Sequence, residues 1–144
     1  VPRNQNYWKL WVNPEHIDFH GLPPKVTELF KRSLLTIRTQ VDNGGAIIAA
    51  NDHDITQFAR DTYSYMWPRD GALVAYAMTK AGHRDLTQRF FKFCSDVIKD
   101  EGYLLHKYNP DRSVASSWHP WLKDGKEVLP IQEDETALVI WSLW

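Results

Sequence analysis

Two short stretches carry residue types that could do chemistry. The first, Tyr63-Ser64-Tyr65-Met66-Trp67-Pro68-Arg69-Asp70-Gly71, holds three aromatic rings, one arginine and one aspartate, with Pro68 stiffening the backbone between Trp67 and Arg69. Aromatic faces cover the flat apolar side of a pyranose, while Arg and Asp hydrogen-bond its hydroxyls. The second, Leu129-Pro130-Ile131-Gln132-Glu133-Asp134, again sets polar groups after a proline. Both read as helix N-termini, where backbone N–H groups help hold carboxylates in fixed orientation. If the two helices start on the same face, Arg69, Asp70 and the acidic cluster line one pocket. A plainer reading stands beside each: the rings as core and Asp70 as an N-cap, and Glu133, Asp134 and Glu135 as first-turn electrostatics.

Glycoside hydrolysis uses two carboxyl groups, so Asp70 with Glu133 or Asp134 is a tempting pair. A carboxylate beside an arginine favours its ionised form, however, which suits accepting a hydroxyl hydrogen bond rather than donating a proton. The chain is therefore assigned no catalytic residue from this pair. His53, His83, His106 and His119 are scattered without metal-ligand spacing, and Asn51-Asp52-His53-Asp54 is a turn rather than a cation loop. His119, in the polar-aromatic run Ser116-Ser117-Trp118-His119-Pro120-Trp121, is the histidine kept as a ligand contact. There is no nucleophile elbow, P-loop or dinucleotide fingerprint. No cofactor and no metal is expected.

Composition narrows the partners. A net charge of −1 over 144 residues gives no electrostatic footprint for nucleic acid or an anionic membrane, and seven Trp, six Tyr and six Phe suit a neutral polar substrate. Cys94 is the single cysteine, so no intrachain disulfide forms. No apolar window reaches the roughly 18 residues of a membrane span. One cysteine and a start, Val1-Pro2-Arg3-Asn4, without a hydrophobic signal core favour the cytoplasm. Both ends look cut, as in a piece of a longer protein.

The elements that must position these residues are mainly helical. Residues 1–24, with Asn13-Pro14 and Pro23-Pro24, read as an extended linker or approach. A helix from Pro24 or Lys25 carries Val26, Leu29, Phe30, Leu34, Ile37 and Val41 on one face and ends at Asn43-Gly44-Gly45. The run 46–50 is a strand or a buried turn. A helix over 71–81, capped by Asp70, precedes one over 84–99 with Cys94 on its apolar face. A two- or three-residue connection sets the pair antiparallel. Residues 101–130 are irregular, with a short strand over 104–108 and a turn at Asp124-Gly125. The last helix begins at Gln132 or Glu133 and is apolar nearly all round, hence buried on most sides.

Asp61-Thr62-Tyr63-Ser64-Tyr65-Met66-Trp67-Pro68-Arg69-Asp70-Gly71-Ala72 resembles the first substrate-binding motif of glycoside hydrolase family 15, in its prokaryotic branch. Pro130-Ile131-Gln132-Glu133-Asp134-Glu135-Thr136-Ala137-Leu138 resembles the next. The resemblance spans about residues 25–144 and implies the first third of an (α/α)6 toroid. It implies an inverting, exo-acting α-glucoside hydrolase of glucoamylase type, acting on an α-glucan or gluco-oligosaccharide. It also implies that Arg69 and Asp70 hold hydroxyls of the glucose in subsite −1. Trp67 would pack near that sugar, Tyr63 would sit near the reacting carbon, and Trp118 and His119 would reach the next subsite. Both catalytic glutamates of the family lie in later motifs, outside this chain. A trehalase-type member and a non-catalytic carbohydrate-binding or scaffold protein are the alternatives.

A third of a closed toroid leaves apolar helix faces uncovered. The isolated 144-residue chain is therefore expected to self-associate or be molten, and to release no glucose from α-glucans. Size-exclusion chromatography and a glucose-release assay check this. A monomeric, sharply cooperative melt counts against the toroid, and glucose release by the pure chain counts against the placement of the catalytic glutamates.

Overall fold

The computed structural model describes residues 2–14, 17–52, 63–115 and 121–144. Among these the chain is mainly helical. In order run α1 (Pro2–Trp11), α2 (Pro24–Thr39), α3 (Pro68–Lys80), α4 (Arg84–Val97), β1 (Leu122–Lys123), β2 (Lys126–Glu127) and α5 (Glu133–Leu143). Three of these helices open on a proline, whose fixed φ suits the first helical position and whose missing N–H is not needed there.

That rule accounts for two departures from the sequence reading. Residues 2–11 are helical rather than extended, because Pro2 starts a helix and Pro14 lies beyond its end. Trp11 stacks on His83, ring centroids 4.0 Å apart, and so fastens α1 to the α3–α4 turn. Likewise α3 starts at Pro68, with Trp67 in the cap position, so Asp70 is a first-turn residue and not the N-cap.

α2 keeps its expected stripe, with Leu34 buried and Phe30 and Ile37 packed against the core. It ends at Thr39, short of the expected Asn43-Gly44-Gly45, because Val41 leaves the helix to form an antiparallel bridge with Ile47. Gly45 (φ +97°) lies so close to the Arg89 carbonyl that a Cβ would overlap it. The run 46–50, open between strand and turn, belongs to a chain of single bridges: Ile48 with Met66, Met66 with Tyr108, Tyr108 with Val114. Met66 and Tyr108 exchange both backbone hydrogen bonds at 2.9 Å. Asp124 and Gly125, both at positive φ, make the expected turn, here closing the β1–β2 hairpin.

The core gathers Met66, Ala72, Ala75, Met78, Phe90, Phe93, Cys94 and Leu104 between α3, α4 and the bridged segments. α3 is the central element and packs on both α4 and α5. Cys94 is buried, and that burial pushes its thiol up to about 12, as fits a small core hydrophobe. α5 departs from expectation: Glu135, Val139 and Ser142 are buried, but Ile140 and Leu143 are more than 60% exposed. α3 and α4 cover one side of it, and its apolar character runs all round.

Gly71 sets the distance between α3 and α4. A Cβ there would lie 2.4 Å from the Phe90 ring. Alanine normally stabilises a helix by about 1 kcal/mol over glycine, whereas overpacking a core costs about 1–3 kcal/mol. Gly71→Ala is therefore expected to lower the stability of the whole protein by up to about 2 kcal/mol in chemical denaturation; higher stability would contradict this packing.

Candidate functional site

The two helix starts singled out in the sequence meet. One segment, 104–108, is tied to both. Tyr108 pairs with Met66 two residues before α3; His106 N–H donates to the Pro130 carbonyl at 2.6 Å, and Leu104 N–H donates to Thr136 Oγ1 at 2.9 Å. The approach to α3 is held from the other side. Ala49 and Ala50 N–H groups donate to the Tyr65 and Tyr63 carbonyls, and Asp52 accepts from Tyr63 N–H at 2.7 Å and from the Ser64 hydroxyl at 2.6 Å.

Arg69 stands where the starts meet. Its Nη1 donates to Gln132 Oε1 at 2.9 Å and to Asp134 Oδ2 at 3.1 Å, and its Nη2 lies 3.6 Å from Asp70 Oδ2. Its guanidinium is held above its ordinary pKa, chiefly by the Asp134 hydrogen bond. The clamp therefore uses two acceptors at the start of α5, Gln132 in its cap position and Asp134 in its first turn, with Asp70 of α3 as an ion-pair partner, and a third of the arginine side chain still faces solvent. Asp70 is half exposed beside it.

Beneath the arginine lies Glu135, fully buried. Its Oε2 accepts the Arg69 backbone N–H, one of the amides left open at the start of α3. Its Oε1 is 3.5 Å from His106 Nδ1 and 3.9 Å from Arg69 Nη1. Burial pushes the Glu135 carboxyl up to about 7, against the pull of the Arg69 hydrogen bond and charge. His106 is held below its ordinary value, first by burial and then by the charges of Lys107 and Arg69.

The rings form a second layer. Trp67 is buried, with Tyr63 5.7 Å and Tyr65 5.8 Å from it between centroids, and its Nε1–H donates to His106 Nε2 at 3.3 Å. Buried Lys107 sets its ammonium 4.3 Å from the Tyr65 ring centroid and 5.6 Å from that of Trp67. Tyr63 is half exposed. On the other flank Asp70 lines a cavity of about 340 Å³ with Ile37, Gln40, Ile48 and Leu73.

The structure thus brings Tyr63, Trp67, Arg69, Asp70 and Asp134 into one neighbourhood, while Glu133 stands exposed in the first turn of α5. Trp118 and His119 lie outside the described residues, as does His53. His83 sits at the α3–α4 turn against Trp11, away from the site. Sequence reasoning missed His106 and Lys107 as parts of this arrangement, gave Gln132 no role beyond its place in the second stretch, and treated Glu135 only as one of three first-turn acids. For Glu135 the signal was its place three residues beyond the position before α5, where a side chain turns back onto the protein; for His106 and Lys107 spacing offers none. No group of His, Cys, Asp or Glu able to hold a metal ion occurs among the described residues, and no helix there is long and apolar enough to cross a membrane.

Residues 25–142 match the family described as Glycosyl hydrolases family 15. The chain is 26% identical over 143 residues to an uncharacterized glycosyl hydrolase of Methanocaldococcus jannaschii; the match covers 97% of this chain and 20% of that protein. The chain thus spans about a fifth of the length of this relative. No solved structure matches.

A carboxyl group whose pKa rises on folding stabilises the fold in its protonated form. For Glu135 that contribution is complete below the ordinary value of 4.5 and is lost as pH climbs through about 7. The stability difference between the wild-type protein and Glu135→Gln is therefore expected to shift against the wild type between these two values. Urea denaturation at a series of pH values checks this; a difference independent of pH would contradict the burial of an ionisable Glu135.

Proposed function

The chain belongs to glycosyl hydrolase family 15, and from that premise we propose that the protein it forms part of is an inverting, exo-acting α-glucoside hydrolase of glucoamylase type. In this reading residues 25–144 are the N-terminal part of the catalytic domain and contribute its subsite −1, with residues 1–24 as the approach to it. Arg69 and Asp70 hold hydroxyls of the terminal glucose, Trp67 packs near that sugar and Tyr63 sits near the reacting carbon. Asp134 and Glu133 border the same pocket from α5, and Trp118 and His119 reach the following sugar. A general acid and a general base, both glutamates outside these residues, cut the bond with water attacking the opposite face.

The observation that carries the reading is the clamp on Arg69. Gln132 and Asp134 fix the guanidinium from the start of a second helix, and Asp70 is half exposed next to it. A fixed donor fork beside a half-exposed carboxyl acceptor, flanked by the half-exposed Tyr63 ring, suits a polyol with one apolar face. Arg69 needs no further anion to neutralise it, which favours a neutral sugar over a phosphate or carboxylate ligand.

The test is kinetic, on the whole protein with malto-oligosaccharides. Asp70→Asn is expected to lower kcat/KM by about 10- to 100-fold, the equivalent of a charged hydrogen bond worth roughly 1.5–3 kcal/mol. Proton NMR of the first turnover is expected to show β-glucose. An unchanged kcat/KM would remove Asp70 from the sugar, and α-glucose as first product would exclude inversion.

A further inference from the structure

Glu135 and His106 do work that the sugar-holding residues do not explain. Neither touches the outer face of the site, yet both are buried against it. Trp67 Nε1–H donates to His106 Nε2, so the neutral imidazole carries its proton on Nδ1. That nitrogen faces Glu135 Oε1 at 3.5 Å, beyond ordinary hydrogen-bond length. Both atoms are buried without a hydrogen bond of good geometry among the described residues, although the Gln132 side chain also approaches the imidazole. A carboxylate oxygen and an N–H thus stand half an ångström from a bond, in a place water does not reach. The other oxygen of the same carboxylate accepts the backbone N–H of Arg69.

We propose that Glu135 is a positioning residue whose ionisation links the two halves of the sugar site, fixing Arg69 directly and Trp67 through His106. The proposal rests on the family 15 reading for its ligand, a terminal glucose. When Glu135 is ionised it accepts from His106 Nδ1–H and pairs with the Arg69 guanidinium, so the imidazole, the indole beyond it and the arginine are held together. When it is protonated, Oε2 still accepts the Arg69 N–H and the proton sits on Oε1, so the imidazole faces a weaker hydroxyl acceptor and the arginine loses one of its carboxylate charges. Sugar affinity then falls.

The groups that face Glu135 support titration in the working range. On α3 they are Arg69, which favours the ionised form, and Asp70, which opposes it. Asp134 on α5 opposes it as well. From the bridged segment come His106, with Lys107 and Tyr108 beside it, and from α4 the buried thiol of Cys94. Burial is the largest influence and sets the midpoint near 7.

Two readouts on the whole protein test the link, using the wild type, Glu135→Gln and Trp67→Phe. The glutamine keeps an oxygen for the Arg69 N–H but cannot ionise. Near-ultraviolet circular dichroism of the wild type is expected to show a transition near pH 7 that is absent from both variants. The KM of the wild type for maltotriose is expected to rise by about fivefold or more on acidification through that transition, and the KM of Glu135→Gln is expected not to follow it. A merely structural role for Glu135 would leave this pH dependence in place. A transition that survives in Glu135→Gln, or none in the wild type, overturns the proposal. If Glu135→Gln does not fold, His106→Gln leaves the carboxylate and removes the imidazole, and the dichroism transition at Trp67 is expected to vanish with it; its persistence is equally fatal. Absence of glucose release by the wild type defeats the substrate reading alone, since the dichroism titration still decides the link.

Discussion

The site depends on one contact, the hydrogen bond from the backbone amide of Arg69 to the buried carboxylate of Glu135. A helix start leaves its first amides without partners. Here one is satisfied by a side chain from the first turn of a different helix, so α3 and α5 cannot shift relative to each other without exposing a buried charge or an orphan amide. Burying that carboxylate is unfavourable in itself. The compensation comes from the Arg69 charge and from the geometry that the contact enforces: the guanidinium lands between Gln132 and Asp134, three residues and one residue before Glu135.

Around this contact the fold works as a brace. The bridges at Ile48, Met66 and Tyr108 hold the aromatic approach to α3, and the same 104–108 segment is bonded to the chain entering α5. Small residues let α3 sit close to its neighbours. Gly71 leaves room for the Phe90 ring, and Ala72 and Ala75 are fully buried. The stability of this region comes from ordinary apolar packing, and the polar lattice is confined to the helix starts, where unsatisfied backbone groups make it useful.

Much of this was legible in the sequence, for identifiable reasons. The stripes of α2 and α4 repeat at helical spacing, and Asp124-Gly125 marks a turn that local chemistry alone enforces. Trp67-Pro68-Arg69-Asp70 and Gln132-Glu133-Asp134 stood out because charge after proline at a helix start is a compact signal. The structure brings Arg69 and Asp134 to 3.1 Å across 65 positions of sequence. What was not legible depends on tertiary placement. Pro2 permits a helix start, but what holds α1 in place is the distant His83, which local sequence does not reveal. The depth of Glu135 follows from how α5 rotates onto α3, and the part of His106 follows from a bridge to Met66 that no periodicity encodes. The exposed side of α5 shows the reverse limit: an apolar pattern states what a helix can bury, not what is there to cover it.

The central claim is that Arg69 and Asp134, from two helices, act as one unit on one sugar. A double-mutant cycle with Arg69→Lys and Asp134→Asn, read as kcat/KM of the whole protein on a malto-oligosaccharide, tests it most directly. The account predicts strong non-additivity, a coupling energy of about 1–3 kcal/mol, as befits residues in one hydrogen-bonded network. Effects that add within about 0.5 kcal/mol would show that the two residues serve the site separately, and would contradict it.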